Sequence, residues 1–261
     1  METGQHRELD LAGAAEAPAT GMPATGMPPA PDAPGAAPQL VEEHAEDGKL
    51  LLRCWMQGGV LHGPLEQFSA NGRPLMKTTF EAGKMHGAMA LYTTEGQLVQ
   101  ESHYRHGVAH GMLKTYVHGR CVSIQTIADG LPSGPAMSYD EAGQLTARLT
   151  YFHGQIQGQA EFFHEGQRVR KSVYRGGLLD GECVDFDLQG RIVQACTYRA
   201  NILHGPVRRF WPNGDLMEEL FYRDGIPTGP PARYNVKGER IDNAAAAPDL
   251  LERLQRLVRG S

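Results

Sequence analysis

Four histidines are the residues of this chain whose type and spacing suggest chemistry. His62, His86, His110 and His204 each occupy the fourth position of a five-residue pattern that opens with Gly or Asn and closes with Gly. Imidazole is both a metal ligand and a general base. If the patterns stack as hairpins, neighbouring histidines lie about 10 Å apart, whereas metal–nitrogen bonds are about 2 Å long. The spacing therefore predicts structural turn residues, with no metal site and no catalytic residue.

The sequence lacks the motifs of enzymes and of cofactor sites. It has no G-x-S-x-G elbow, no H-E-x-x-H motif, no phosphate loop and no dinucleotide fingerprint. Glu218 and Glu219 are adjacent carboxylates without a partner acid in a repeated register. The cysteines have neither zinc-ligand spacing nor a recurring repeat position; they are Cys54, Cys121, Cys183 and Cys196. We therefore expect a protein that is not an enzyme and uses no cofactor.

The histidines belong to a tandem repeat of 23 or 24 residues that fills positions 49–242. Each copy has a closing glycine, and these define repeats one to eight: Gly63, Gly87, Gly111, Gly134, Gly158, Gly181, Gly205 and Gly229. Five residues later each copy has an aromatic: Phe68, Tyr92, Tyr116, Tyr139, Phe163, Phe186, Phe210 and Tyr234. A fixed period of this length indicates a repeat architecture.

Two further positions recur in each copy. A glycine follows the aromatic by three or four residues, as in Asn71-Gly72, Glu95-Gly96 and Asn213-Gly214, which are good hairpin turns. A third apolar position precedes the next opening residue: Phe80, Tyr104, Ile127, Tyr151, Tyr174, Tyr198 and Tyr222. Each copy thus predicts a strand, a tight Xaa-Gly turn, a strand and a Gly-x-x-x-Gly connection.

The predicted fold is all-β, a single elongated antiparallel sheet of eight tandem hairpins. The segments between turns are too short for helices, and eight hairpins give about sixteen strands. The aromatic positions form ladders along the sheet and cover backbone at the glycines. Repeats three and five are one residue shorter between the aromatic and the turn glycine, which predicts tighter hairpins and a register shift there.

Residues 1–48 differ from the repeat in composition. They contain seven prolines, no aromatic residue, and nine acidic residues against one basic residue. A segment with so few large apolar groups cannot offset the entropy lost on ordering its backbone. We predict a disordered acidic tail, in which residues 39–41 are a linker or, as the less favoured alternative, a docking contact.

Residues 243–261 predict a linker and a C-terminal amphipathic helix. Pro248 and Asp249 suit its first turn and Gly260 its end. Five apolar residues share one helical face: Leu250, Leu251, Leu254, Leu257 and Val258. Because so short a helix is marginal alone, we expect it to cap the open edge of repeat eight. Binding to a partner or to a second copy is the alternative.

Charge and hydropathy limit the partners and the compartment. The net charge of −5 resides mainly in the acidic tail, and the near-neutral repeat region argues against nucleic-acid binding. The N-terminus has no basic region followed by an apolar run. No apolar run approaches the about 20 residues that span a bilayer. With free cysteines, these features predict a soluble cytoplasmic protein.

The repeat resembles the MORN repeat family. Residues 83–87 carry the family's G-K-x-H-G signature, and the His-Gly pair recurs in three other copies. The resemblance covers residues 56 to about 240, although most copies lack the family's first-strand tryptophan. This degenerate form looks most like the bacterial MORN-variant proteins named YwqK-like antitoxins. The resemblance implies a hairpin sheet and, for that group, a toxin-neutralising or immunity role.

Two classes of function follow. The favoured one is a scaffold or adaptor that binds another protein, such as a toxin or effector, with the eight aromatics five residues after the closing glycines as anchors. The alternative is a peripheral membrane protein, for which residues 168–171 and 208–209 supply the densest basic groups. Pairing of two copies through the sheet edge or the C-terminal helix stays open.

Overall fold

The computed structural model describes residues 37–241, which form strands and turns throughout. The strands are β1 Gln39–His44, β2 Leu50–Gln57, β3 Val60–Phe68, β4 Pro74–Glu81, β5 Lys84–Met85, β6 Gly87–Tyr92, β7 Leu98–Arg105, β8 Val108–Ala109, β9 Gly111–Val117, β10 Arg120–Ala128, β11 Leu131–Tyr139, β12 Leu145–Phe152, β13 Gln155–Ile156, β14 Gly158–His164, β15 Gln167–Arg175, β16 Leu178–Phe186, β17 Ile192–Arg199, β18 Ile202–Phe210, β19 Leu216–Arg223, β20 Ile226–Pro227 and β21 Ala232–Arg233.

These strands form one open antiparallel sheet in which neighbours in sequence are neighbours in space. One edge is β1, and the other consists of β20 and β21, which pair with β19. Four strands are interrupted into two segments each: β5–β6, β8–β9, β13–β14 and β20–β21. When each interrupted strand is counted once, the sheet has β1 and sixteen further strands, as eight hairpins require. The predicted all-β, single-sheet fold is confirmed.

Strand β1 lies inside the segment that the sequence assigns to a disordered tail. It pairs with β2 along its whole length, and Arg53 donates a hydrogen bond to Glu42 at 2.8 Å. Without β1, the first strand of repeat one would expose unpaired backbone at the sheet edge. This pairing orders a stretch whose composition alone favours disorder. The linker interpretation of residues 39–41 is wrong, and the ordered sheet begins before residue 49.

The tightest turns lie at the opening residue of the Gly-x-x-x-Gly pattern, which corrects their predicted position. Between β2 and β3, Gln57 pairs with Val60, so Gly58 and Gly59 form the whole loop. Both have positive φ, 58° and 76°, as a type I′ turn requires. The pattern is therefore the second half of a turn followed by the start of a strand. It is not a connection between hairpins.

The predicted Xaa-Gly turns are wider than expected. At the first of them the Ser69 amide donates to the Arg73 carbonyl at 2.8 Å, and Gly72 has positive φ while Asn71 does not. This is a three-residue loop with glycine in the left-handed region. The Gly72 amide also donates to the Ser69 carbonyl at 2.8 Å, and this pair of backbone hydrogen bonds occurs in six of the eight copies.

Repeats three and five have the tighter hairpins that their shorter spacing predicts. His118 and Gly119 both have positive φ, as do Glu165 and Gly166, so each pair is a two-residue loop. The register shifts within both hairpins, as predicted. Similar shifts occur beside the wider turns, so the shift is general to the repeat.

Each closing glycine from repeat one to seven lies where two strands fall out of simple register. Between β15 and β16, residues 180–182 stand opposite Val173 alone. Gly181 has φ +131°, and a Cβ there would lie 3.0 Å from the Val173 Cβ, so only glycine fits without strain. On its other side Gly181 is the cross-strand partner of Tyr198 in β17. The equivalent pairs are Gly63–Phe80, Gly87–Tyr104, Gly111–Ile127, Gly134–Tyr151, Gly158–Tyr174 and Gly205–Tyr222.

Successive tight turns are joined by a ladder of backbone hydrogen bonds. The amide of each opening residue donates to the carbonyl two residues after the preceding opening residue, at 2.7 to 2.9 Å. The seven bonds are Gly83→Leu61, Gly107→Met85, Gly130→Ala109, Gly154→Pro132, Gly177→Ile156, Asn201→Leu179 and Gly225→Leu203. This turn ladder ties every repeat to the next along one long side of the sheet.

One face of the sheet, here called the small-residue face, buries a central row of mostly small side chains. Eleven of them are less than a tenth exposed: Cys54, Leu65, Thr78, Met89, Ser102, Ala136, Leu149, Ala160, Ser172, Cys183 and Cys196. Ala136, Leu149 and Ala160 form a cluster that Tyr151 and Tyr174 pack against. Within residues 37–241 no second sheet covers this row, and Tyr151 and Tyr174, which lie opposite closing glycines, supply cover at the cluster.

The predicted linker and helix at 243–261 lie outside the described residues. Within residues 37–241, no helix is long and apolar enough to cross a membrane.

We predict that Gly181→Ala lowers the free energy of unfolding by about 2 to 3 kcal/mol, because the new Cβ meets Val173 at a φ that L residues rarely adopt. Gly158→Ala is the matched control. It lies at the equivalent position with φ +79° and has nothing within 4 Å of the added Cβ, so we expect a loss of about 1 kcal/mol. Urea unfolding of both variants measures the difference, and equal losses would contradict the argument.

Candidate protein-binding face

The opposite face, here called the charged face, carries one continuous row of directly paired residues across all the hairpins. Eleven of its seventeen members are charged, and wherever two charged members are neighbours their signs are opposite. The row is Glu42, Arg53, Glu66, Lys77, Ala90, Glu101, Lys114, Ile124, Met137, Arg148, Glu161, Lys171, Val184, Ala195, Arg208, Glu219 and Ala232.

Ion pairs link many of these neighbours. Arg53 lies between Glu42 at 2.8 Å and Glu66 at 3.8 Å, and Arg208 lies 2.7 Å from Glu219. Because these side chains are partly exposed, each pair contributes only about 0 to 1 kcal/mol. Their larger effect is to fix a pattern of alternating charge that a partner surface can match.

The eight aromatics predicted as partner anchors share this face, since strand alternation places them two residues beyond the charged row. Two contacts agree with that placement. Arg148 lies 5.9 Å from the centre of the Phe163 ring, and Arg168 lies 4.7 Å from that of Phe186. All eight rings are half-buried. The structure thus brings them to one face with the charges, whereas the aromatics opposite the closing glycines lie on the small-residue face.

A groove crosses the charged face from repeat one to repeat three. Its volume is about 600 Å³. Ala88 and Ala90 lie two residues apart on the same face of β6, at positions where most other copies carry larger side chains. The pair Glu66–Lys77 borders one side and Glu101–Lys114 the other, at 3.1 and 3.5 Å. Further lining residues include Pro64, Thr79, His103 and Met112. Because it joins small apolar residues to flanking charges of both signs, the groove can accept an apolar side chain beside polar ones.

The sequence reasoning missed the groove and the row. Their signal was present: the third residue after the closing glycine varies through Glu, Ala, Lys, Met, Glu, Val, Arg and Ala, while the closing glycine before it and the aromatic two residues after it recur in every copy. A variable position inside a regular strand is typical of a surface free to specialise. Pairing across strands could not be read without knowing where each hairpin turns.

The histidines at the fourth pattern position contact the following turn instead of one another. The ring of His62 accepts a hydrogen bond from the Ala82 amide at 3.3 Å, and His204 lies 3.1 Å from Asp224. Gln157, at the same position, accepts from the Gly176 amide at 2.8 Å. This position therefore stabilises the neighbouring turn in several copies, which is a structural role.

Three of the cysteines are buried and all four are free. Burial raises the pKa of the Cys54, Cys183 and Cys196 thiols, which disfavours the nucleophilic thiolate. Cys183 also contacts the Ser172 hydroxyl at 3.2 Å. These three thiols lie in the buried central row of the small-residue face.

Four of the five basic residues considered for lipid contact, all of them arginines, are paired with carboxylates. Arg168 contacts Glu161 at 3.0 Å, and Arg170 contacts Asp185 at 2.6 Å. Arg208 and its neighbour point to opposite faces of β18 by strand alternation. A paired and divided set of cations gives little concentrated positive potential for anionic lipid.

Comparison with known families identifies one repeat. Residues 203–224 match the family model described as MORN repeat variant. This segment runs from the second residue of β18 to the residue after β19, so it corresponds to one hairpin of the sheet. A MORN repeat is therefore present, and it agrees with the resemblance found in the sequence. No curated protein matches the chain.

One hydrogen bond on the charged face predicts a pH dependence. The Tyr116 hydroxyl donates to Glu101 at 2.6 Å, which raises the pKa of Tyr116 to about 12 and lowers the pKa of Glu101. A lowered carboxyl pKa stabilises the fold above the ordinary pKa, and that stabilisation is lost as the pH falls through the lowered value. Tyr116→Phe should raise the pKa of Glu101 and reduce the loss of stability in acid.

The measurement is the urea midpoint from neutral pH down to about pH 3, with the Glu101 carboxyl followed by NMR. Tyr139→Phe is the control, because it removes the hydroxyl at the equivalent repeat position, where Tyr139 contacts the sulfur of Met137 and no carboxylate. We expect this control to keep the wild-type pH dependence. An unchanged Glu101 pKa in Tyr116→Phe would contradict the assignment.

Proposed function

We propose that this chain is a non-catalytic repeat scaffold that binds another protein on its charged face. The observation that carries the proposal is the groove of repeats one to three, where two alanines lie between ion pairs of alternating sign. Apolar contact at the centre with a polar rim is the usual anatomy of a protein interface. The half-buried aromatics beside the charged row extend this surface along the sheet.

The partner class that we propose is a toxin or a secreted effector, with the scaffold acting as antitoxin, immunity protein or adaptor in the cytoplasm. The support for this finer role is the resemblance of the degenerate repeats to the YwqK-like group. A balanced pattern of charge supports a protein partner over an anionic membrane, because neighbouring charges in the row alternate and the arginines of the basic groups are paired with carboxylates.

The test is co-expression of the full chain with the product of the adjacent gene, followed by pull-down and by measurement of growth under toxin expression. Ala90→Arg fills the groove, and the fold should tolerate it because repeat seven carries Arg208 at the same position. We expect Ala90→Arg to abolish capture of the partner and rescue of growth. Its free energy of unfolding should stay within about 0.5 kcal/mol of the wild-type value.

Ala195→Arg is the matched control, because Ala195 belongs to the same charged row but lies in β17, far along the sheet from the groove. It should bind and rescue as wild type does. Equal binding by Ala90→Arg would contradict the groove as the site. Failure of capture and rescue by the wild type, together with salt-sensitive flotation on anionic vesicles, would instead favour the membrane alternative.

A further inference from the structure

The turn ladder brings a second histidine to His86 from a position that is not equivalent in the repeat. His106 is the first residue of the next tight turn, and the two ring centroids lie 5.2 Å apart in an edge-on arrangement. Glu81 approaches from the end of β4, with Oε2 3.1 Å from Nδ1 of His86. One ligand atom from each of the three side chains lies within 4.8 Å of the other two.

The contact between His86 and Glu81 is not a formed hydrogen bond. Nδ1 of His86 is closed to solvent and has no hydrogen-bond partner of acceptable geometry, although the carboxylate oxygen is within reach. A neutral imidazole nitrogen without its proton is an acceptor, and so is a carboxylate. Two acceptors that face each other are stable when a proton or a cation lies between them.

The backbone holds both rings in place. The His86 amide donates to the Thr79 carbonyl at 2.8 Å, and the Gly107 amide donates to the Met85 carbonyl at 2.8 Å. His106 has φ 51°, a left-handed conformation that a two-residue turn requires at this position. At the equivalent position of other copies, His62 contacts the Ala82 backbone amide and His204 contacts the Asp224 side chain, so neither contacts a second histidine there. Among residues 37–241, this is the only group of three side chains placed to hold a metal ion.

We propose that Glu81, His86 and His106 bind one divalent transition-metal ion, with zinc as the ion that fits best. Two imidazoles and a carboxylate form a common three-ligand set for zinc, with the fourth tetrahedral position left to water. Ligand atoms around zinc lie about 3.3 Å apart, and Glu81 and His106 are exposed side chains that can rotate to reach this spacing. The equivalent histidines are still too far apart to share an ion, so the site depends on His106.

The ion would link two successive turns beside the groove. A pocket lined by His86, His103, His110 and Met112 adjoins the site, and His103 and Met112 also line the groove. Because His86 and His106 belong to different repeats, metal binding would stabilise the contact between them and raise the melting temperature of the folded chain. The site would not need the protein partner in order to fill.

The test is titration of the metal-free full chain with Zn²⁺ by calorimetry, in competition with a chelator of known affinity, together with thermal unfolding. We expect one tight site per chain and a rise in melting temperature. His106→Asn keeps a residue that tolerates positive φ but removes the imidazole, and Glu81→Gln removes the carboxylate charge. Each should weaken zinc binding at least about tenfold, since even indirect changes at zinc sites cost that much.

His62→Ala and His110→Ala are the controls, because these residues occupy the same repeat position as His86 but lack the second histidine. They should bind zinc as the wild type does. The melting temperature in chelator should be the same for wild type and Glu81→Gln, which separates loss of metal from loss of fold. Absence of a tight zinc site in the wild type would overturn the proposal. So would a zinc affinity of Glu81→Gln and His106→Asn equal to that of the wild type.

Discussion

The structure depends on the hydrogen bond that each tight turn makes to the one before it. A single-layer sheet has no second layer to fix the angle between hairpins, so neighbouring repeats must hold one another directly. The turn ladder does this with one amide and one carbonyl per repeat. Asn201 shows what the opening position requires. It replaces glycine, adopts φ 68°, and its side chain accepts a further hydrogen bond from the Leu179 amide at 2.6 Å, so a left-handed conformation is needed and not glycine itself.

The closing glycines make it possible to bury apolar side chains on a single-layer sheet. A glycine in a bulge removes one side chain and lets the ring on the paired strand cover the gap. Where Gly158 pairs with Tyr174 and Gly134 with Tyr151, those rings shield Ala160 and Leu149. Among residues 37–241, the small residues along the centre of that face are therefore buried without a partner sheet. The charged face therefore does not have to supply the buried row.

Much of this fold is readable from the sequence because a repeat shows each position eight times. The period, the closing glycines and the rings opposite them follow from equivalence between copies. Comparison of equivalent positions cannot reveal a contact between two residues that occupy different positions of the repeat. The turn was misplaced because each opening glycine acts with the residue before it, as Gly58 does with Gly59. Strand β1 was missed because it has no sister copy, and its order comes from pairing with an edge that composition does not record.

The repeat keeps some of its positions constant from copy to copy and varies others. Positions that make the ladder and the bulges are nearly constant, whereas the third residue after each closing glycine changes charge, size and polarity. Since exposed cross-strand pairs contribute little to stability, this position can change without cost to the fold. His106 shows the consequence at the edge. A turn needs only a positive φ there, and the copies meet that need with Ala82, His106 or Asp129. In a repeat chain of this kind, functional side chains can be introduced at any position where the fold does not depend on the identity of the side chain.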